Sequence, residues 1–378
     1  MRPTEHAFAS GSSPACGERS PVAPLARLPH SGVRVSPARE RTILLTLAAV
    51  QFVNVLDFMM VMPLGPDFAR ELDVPREHLP YLASSYTAAA GAAGLASAFF
   101  LDRFDRRSAL VCALVGLALG TACGGMARTL EELLLSRVVA GAFGGPATSL
   151  ALAAVADVVP AERRGRALAT VFVAFSVASV LGVPGGLYLA QLAGWHVPFF
   201  VVGALGLVAA VAARAALPPL RAHLTAERTG NVVGAFVAIL GRRESLIAFA
   251  MSATSNAGAF LLIPNIATFL QENLGYPRSD LGALYLMGGV ASFLTLGPFG
   301  RLVDRVGSAR VSVLGTLLSS TTILVGFVAA WPWVPVAAVF CAFMITSGLR
   351  NVAASTILSR VPAPAERARF MSLESMVK

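Results

Sequence analysis

Ala98-Phe-Phe-Leu-Asp102-Arg103-Phe-Asp105-Arg106-Arg107 is a charged turn in an apolar neighbourhood, and Gly300-Arg-Leu-Val-Asp304-Arg305-Val-Gly307-Ser-Ala-Arg310 repeats it 202 residues later. A second pair, Val159-Pro160-Ala161-Glu162-Arg163-Arg164-Gly165-Arg166 and Val361-Pro362-Ala363-Pro364-Ala365-Glu366-Arg367-Ala368-Arg369, recurs at an offset of about 204. Two matches at nearly one offset indicate a duplicated helical bundle, the arrangement in which two halves rock about a central site.

Around these turns the chain is apolar. Hydrophobic residues make up 56% and charged residues 13%, and the mean hydropathy is +0.69, well outside the soluble globular norm. A hydrocarbon core of about 30 Å needs roughly 20 apolar residues per spanning helix. Ten stretches of that size follow one another at 42–65, 80–101, 108–126, 131–157, 166–192, 197–217, 245–270, 280–300, 309–330 and 334–358. The chain is therefore expected to be an all-α membrane protein. The segment 218–244, with Arg221, Arg228, Arg242 and Arg243, reads as a cytoplasmic linker between a six-helix bundle over 42–217 and a second bundle over 245–378. Residues 1–41 contain six prolines and no apolar run of signal-peptide length, which reads as a disordered cytoplasmic tail. By the internal symmetry Arg369 opens an eleventh helix as Arg166 opens the fifth, so about ten of an expected twelve spans are present and the second bundle is incomplete.

With the N-terminus in the cytoplasm, the loops on that side carry 23 arginines, and the opposite loops carry only Arg70, Arg76, Arg128 and Arg278. That is the positive-inside bias. The net charge of +9 thus reports topology, and no basic face of the kind that tracks phosphates is present to suggest nucleic acid. Cys16, Cys112, Cys123 and Cys341 form no CxxC pair and have no His cluster beside them, so neither metal nor disulfide is expected. The sequence has no phosphate-cradling Gly-Lys-Ser loop and no nucleophile with a base, which argues against ATP-driven transport and membrane enzymology. No cofactor is expected.

These residues resemble the major facilitator superfamily, and within it the twelve-helix drug:proton antiporters and sugar-efflux permeases of bacteria, over Thr42 to Lys378. The turn after the second span is similar to that family's G-x-x-x-D-[RK]-x-G-[RK]-[RK] signature, which in relatives latches the two bundles at the cytoplasmic face. Asp102, Arg103, Arg106 and Arg107 match it, while Ala98 and Asp105 replace its glycines; Gly300, Asp304, Arg305, Gly307 and Arg310 keep the second copy better. Ala98 preserves a close helix approach, whereas Asp105 sets a second carboxylate beside Asp102 and predicts a reshaped turn. In the fourth span Leu133-Leu-Leu-Ser-Arg137-Val-Val-Ala-Gly141-Ala-Phe-Gly144-Gly145 resembles the segment l-x-x-x-R-x-x-x-G. In the fifth, Leu181-Gly182-Val183-Pro184-Gly185-Gly186 resembles the antiporter segment G-P-x-x-G-G, with the proline one position late and the spacer missing, which weakens the case for export. Pro184 lacks a backbone donor and predicts a bend.

Ionisable residues inside spans are expensive, so each is a site candidate. Asp57, Arg137 and Arg350 stand out. Counted from the expected helix ends, Asp57 and Arg137 both lie roughly 8 to 10 Å deep, and in the resembled fold their two helices line one cavity. The expected chemistry has Asp57 take up and release a coupling proton while Arg137 stabilises the carboxylate or replaces the proton; a static structural pair is the alternative. Gln51 and Asn54 share the helix face of Asp57 and read as a polar lining, with Asn256 and Asn265 as substrate contacts from the second half. Arg350 is read as snorkelling to the interface, and His196 in Gly194-Trp195-His196 as interfacial structure.

The resemblance implies a secondary transporter of a bacterial inner membrane, exporting a small amphipathic molecule or sugar against protons by alternating access. Uptake or facilitated diffusion in the same fold, or a truncated chain that does not transport, are the alternatives. The sequence carries no signal for substrate identity or oligomeric state.

Overall fold

The computed structural model describes residues 36–100, 103–221, 232–329, 334–362, 370 and 373–374, all within one compact unit. Among them there is no β-strand. The first bundle consists of α1 (Pro37–Met60), α2 (Gly65–Glu71), α3 (Leu79–Phe100), α4 (Arg106–Gly124), α5 (Leu130–Val158), α6 (Ala161–Val177), α7 (Val183–Ala193) and α8 (His196–Ala216). Beyond it lie α9 (Val232–Leu240), α10 (Arg243–Glu272), α11 (Leu281–Val306), α12 (Ser308–Ile323) and α13 (Val336–Arg360).

Several boundaries differ from the sequence reading, each for a local reason. α1 starts at Pro37, inside the segment read as tail, because the Ser36 side chain accepts from the Arg39 N–H and Pro37 needs no donor at the helix start. The first span also does not stop at 65. A short 3₁₀ turn, Met62–Leu64, carries Pro63 and passes the chain into α2, so the helical rod runs on to Glu71. Within the expected linker, α9 is helical, and Arg243 and Glu244 already belong to α10.

The fifth span is continuous but contains a π-helical turn, Ala178–Gly182, directly before Pro184. Pro184 has no N–H for the Val180 carbonyl, and the Val183 N–H reaches one residue further back, to Ala178. The expected bend is thus absorbed as a widened turn. Among the described residues nine helical segments are long and apolar enough to cross a membrane. The remaining expected span, the second, is α3, which has 22 residues and no charged side chain, the length a crossing needs. Large apolar side chains such as Leu135, Val211, Leu261 and Leu294 point outward; a bilayer can cover such faces, and water does not.

Small residues set the helix spacing. A Cβ on Gly141 or Gly145 would run into the backbone carbonyl of Tyr86 or Ala90, so α5 lies directly on α3, with these glycines four residues apart. In the second half Gly315 lets α12 touch the backbone of Arg350, and Gly326 accepts Val339. Between the halves, Gly289 of α11 faces Val180 of the π turn. Phe58 and Phe260 meet there with ring centroids 5.9 Å apart, and they are themselves 202 residues apart in sequence.

Candidate functional site

α1, α4 and α5 converge on Asp57. Its side chain is fully buried, and the guanidinium of Arg137, also buried, approaches its Oδ1 at 3.1 Å. The Thr121 hydroxyl of α4 lies 2.6 Å from the same oxygen and 2.9 Å from the Leu117 carbonyl, so its single proton serves one acceptor at a time. Asp57 Oδ2, Arg137 Nε and Arg137 Nη2 are buried without a hydrogen-bond partner. The Arg137 guanidinium carbon stands 5.0 Å from the centre of the Phe199 ring of α8, where the ring face offers a second site of negative potential. Phe199 is packed edge-on by Trp195, which is buried in the core with Phe68 and not placed as an interfacial anchor. His196 Nδ1 pairs with the Gly125 carbonyl at 2.8 Å, a local helix tie.

Asn54, one turn before Asp57, is committed to its neighbours. Tyr86 of α3 donates to its Oδ1 at 2.8 Å, and its amide donates to the Gly144 carbonyl at 2.8 Å and to Thr148. A Cβ at Gly144 would collide with the Tyr86 hydroxyl. The residue therefore ties α1, α3 and α5 together instead of presenting a free amide. Gln51 is buried, its Oε1 without a partner.

Asn256 and Asn265 donate to Ser252 and Leu261 of their own helix; the structure brings neither to Asp57. Arg350 is partly buried in α13, its Nε enclosed without a hydrogen bond. α13 continues ten residues past it to Arg360, about 15 Å of helix, so Arg350 sits inside the span and not at its end.

The first charged turn folds around Asp105. Asp102 lies outside the described residues. Asp105 caps α4 through the Arg107 N–H and accepts from the Leu220 N–H at 2.9 Å, with Arg221 at 3.6 Å. Arg106 Nη1 donates to both carboxylate oxygens of Asp157 of α5, at 2.6 and 2.8 Å. Arg103 is exposed, and Arg107 Nε is enclosed without a partner. In the second copy Asp304, Arg305 and Arg310 are exposed, Gly300 has open space at its Cβ position, and Gly307 turns the chain at φ +96°. In the Gly182–Gly186 segment, Gly182 abuts Leu56 of α1, while Gly185 and Gly186 leave room.

Sequence reasoning missed the arginine-poor end. There Arg278, just before α11, pairs with Asp67 of α2, to which Arg70 also bonds. Arg76 pairs with Glu272 at 2.8 Å, and Gln191 donates to the carbonyls of Arg278 and Ser279. An aspartate two residues beyond an expected span end gives no hint of a partner 211 residues away. Glu374 was missed as well: it is buried and accepts from Ser252 at 3.0 Å. Among the described residues no group of His, Cys, Asp or Glu could hold a metal ion.

The sequence profile of the Major Facilitator Superfamily matches residues 47–264 and 245–377. A chloramphenicol resistance protein of Streptomyces lividans is 30% identical over 324 residues, covering 84% of this chain and 79% of that protein. Multidrug resistance protein 1 of Bacillus subtilis (strain 168) is 24% identical over 322 residues, 85% of this chain and 81% of the relative. Among solved structures, a bacterial homologue of the human lysosomal transporter Spinster, in an inward-facing and unoccupied conformation, aligns with a TM-score of 0.76 at 18% identity, over 91% of this chain and 81% of that one.

Proposed function

Since this chain belongs to the major facilitator superfamily, and so is a multi-pass membrane transporter rather than an enzyme, we propose that it exports a small amphipathic molecule in exchange for protons bound at Asp57. The N-terminus and the arginine-rich loops face the cytoplasm of a bacterial inner membrane in this reading. The resistance proteins among its relatives support export.

The observation that carries the proton assignment is the hydroxyl of Thr121 between two acceptors. With Asp57 ionised, Thr121 donates to its Oδ1 and Arg137 supplies the countercharge. With Asp57 protonated, the acid O–H donates to the Thr121 oxygen, and the Thr121 proton turns to the Leu117 carbonyl. Both protonation states are thus hydrogen-bonded, and neither requires a backbone rearrangement. Arg137 then has no carboxylate, and the Phe199 face remains beneath it. The site gains one positive charge on protonation, so proton and substrate occupancy are coupled through Arg137.

Cells expressing the chain should extrude amphipathic dyes, and Asp57→Asn should abolish extrusion at equal membrane expression. Thr121→Val, which removes both the donor to the ionised carboxylate and the acceptor for the protonated acid, should slow it about tenfold, the effect of losing about 1.4 kcal/mol of hydrogen bonding. Wild-type extrusion by an Asp57→Asn variant would refute the assignment.

A further inference from the structure

We propose that Asp67 is a gate residue of the transport cycle: Arg278 of the second bundle holds it shut, and Arg70 of its own helix keeps it paired when the gate opens. The assignment rests on the transport reading above and adds residues to it. Asp67 is 5% exposed, and Arg278 holds both of its oxygens, Nε reaching Oδ1 at 3.2 Å and Nη2 bonding Oδ2. This fork joins α2 of the first bundle to the turn Arg278–Asp280 that opens α11 of the second. The same turn is fixed by Gln191, whose amide donates to the Arg278 carbonyl at 2.9 Å and the Ser279 carbonyl at 3.2 Å. Arg76 and Glu272 close a second ion pair across the halves. Two residues from Asp67, at Gly65, a cavity of about 10 Å³ lined also by Met62, Leu82, Ala83 and Pro264 has room for about one water molecule, and Ala83 is buried.

Two halves that rock about a central site must part here for the cavity to open to this side. Parting withdraws Arg278 from a buried carboxylate, and an uncompensated buried charge is costly. Arg70 changes that balance. It sits one turn along α2 and already bonds Asp67 Oδ1, while most of its own side chain lies in the open. It moves with Asp67 when the halves separate, so opening exchanges two partners for one. Arg70 also repels Arg278 in the closed state. Both effects have one sign: Arg70 favours opening, whereas Asp67 and Arg278 favour closure.

The test uses the full chain with Cys16, Cys112, Cys123 and Cys341 replaced by serine and a single cysteine introduced as Ala83→Cys in the lining of that cavity. A membrane-impermeant maleimide is added to intact cells, and the labelling rate is compared with that after detergent unfolding, which checks that the cysteine is present and reactive. Asp67→Asn and Arg278→Gln should each raise the rate about tenfold, the population change that a difference of about 1.4 kcal/mol produces. Arg70→Gln should lower it, and Asp67→Glu, which keeps the carboxylate, should stay near the parent. The assignment is overturned if Asp67→Asn leaves labelling unchanged or if Arg70→Gln raises it. Dye export is measured on the same cells. Export without this labelling pattern sinks the gate and spares the transport reading; the pattern without export supports the gate and sinks transport.

Discussion

At the offset of 202 residues, Asp57 and Arg137 of the first bundle match Ala259 and Val339 of the second. The first half encloses an ion pair where the second has two small apolar residues, with Val339 packed against Gly326. A buried ion pair is weak evidence of stability, because apolar residues of similar volume often serve as well. Here the same molecule shows that the fold does not require the pair. Its reason is therefore to be sought in the work of the site, and the proton account supplies one. The charged turns differ in a similar way. Asp105 caps α4 with φ −59°, while Gly307, its counterpart, turns the chain at φ +96°. Arg106 finds Asp157, whose match in the second half is Ser359.

Substitutions at matched positions of the two halves should have unequal effects. The largest stability change is expected at Arg137: Arg137→Leu leaves the Asp57 carboxylate buried and uncompensated and should cost about 3–5 kcal/mol, whereas Val339→Ala should cost about 1–2 kcal/mol. Chemical denaturation in detergent measures both, and equal losses would mean that the pair is ordinary packing. Gly144→Ala drives a methyl group into the Tyr86 hydroxyl and should cost about 1–3 kcal/mol through overpacking. Its second-half counterpart is Thr346, where a side chain is already accommodated.

Next come the turns. Gly307→Ala forces a side chain to adopt φ +96°, at a cost of about 1–3 kcal/mol. Asp105→Ala loses a helix cap and should cost about 1 kcal/mol. Gly300→Ala, with nothing within 4 Å of the new methyl group, should lie within about 0.5 kcal/mol of the parent. A large loss there would mean that the second copy of the turn packs as tightly as the first.

The helices were legible because run length and turn residues act locally. A stretch of some 20 apolar residues between arginine-bearing turns has few alternatives. The extension of the first span to Glu71 was less legible, since the apolar run expected over 42–65 thins out where the structure uses a 3₁₀ turn to continue. α9 is nine residues long and falls below the length that marks a span. Asp57 and Arg137 stood out as rare ionisable residues within apolar segments. Thr121, Tyr86 and Phe199 did not, because each is unremarkable in a membrane helix until three-dimensional packing sets it beside the charged pair. Asn54 read as cavity lining because spacing alone shows which face a residue shares, and not that Tyr86, Gly144 and Thr148 already occupy its hydrogen bonds. Asp67 and Arg278 were opaque for the same reason, their meeting being a property of the closed end as a whole.

Proton coupling at Asp57 can be separated from substrate movement in a reconstituted system. Purified protein in liposomes is loaded with the best dye from the cell assay, and an imposed pH gradient is compared with dye exchange at equal pH on both sides. Asp57→Asn is expected to retain exchange near the wild-type rate and to lose all gradient-driven accumulation. Accumulation by Asp57→Asn under the pH gradient at the wild-type level would contradict proton coupling at Asp57.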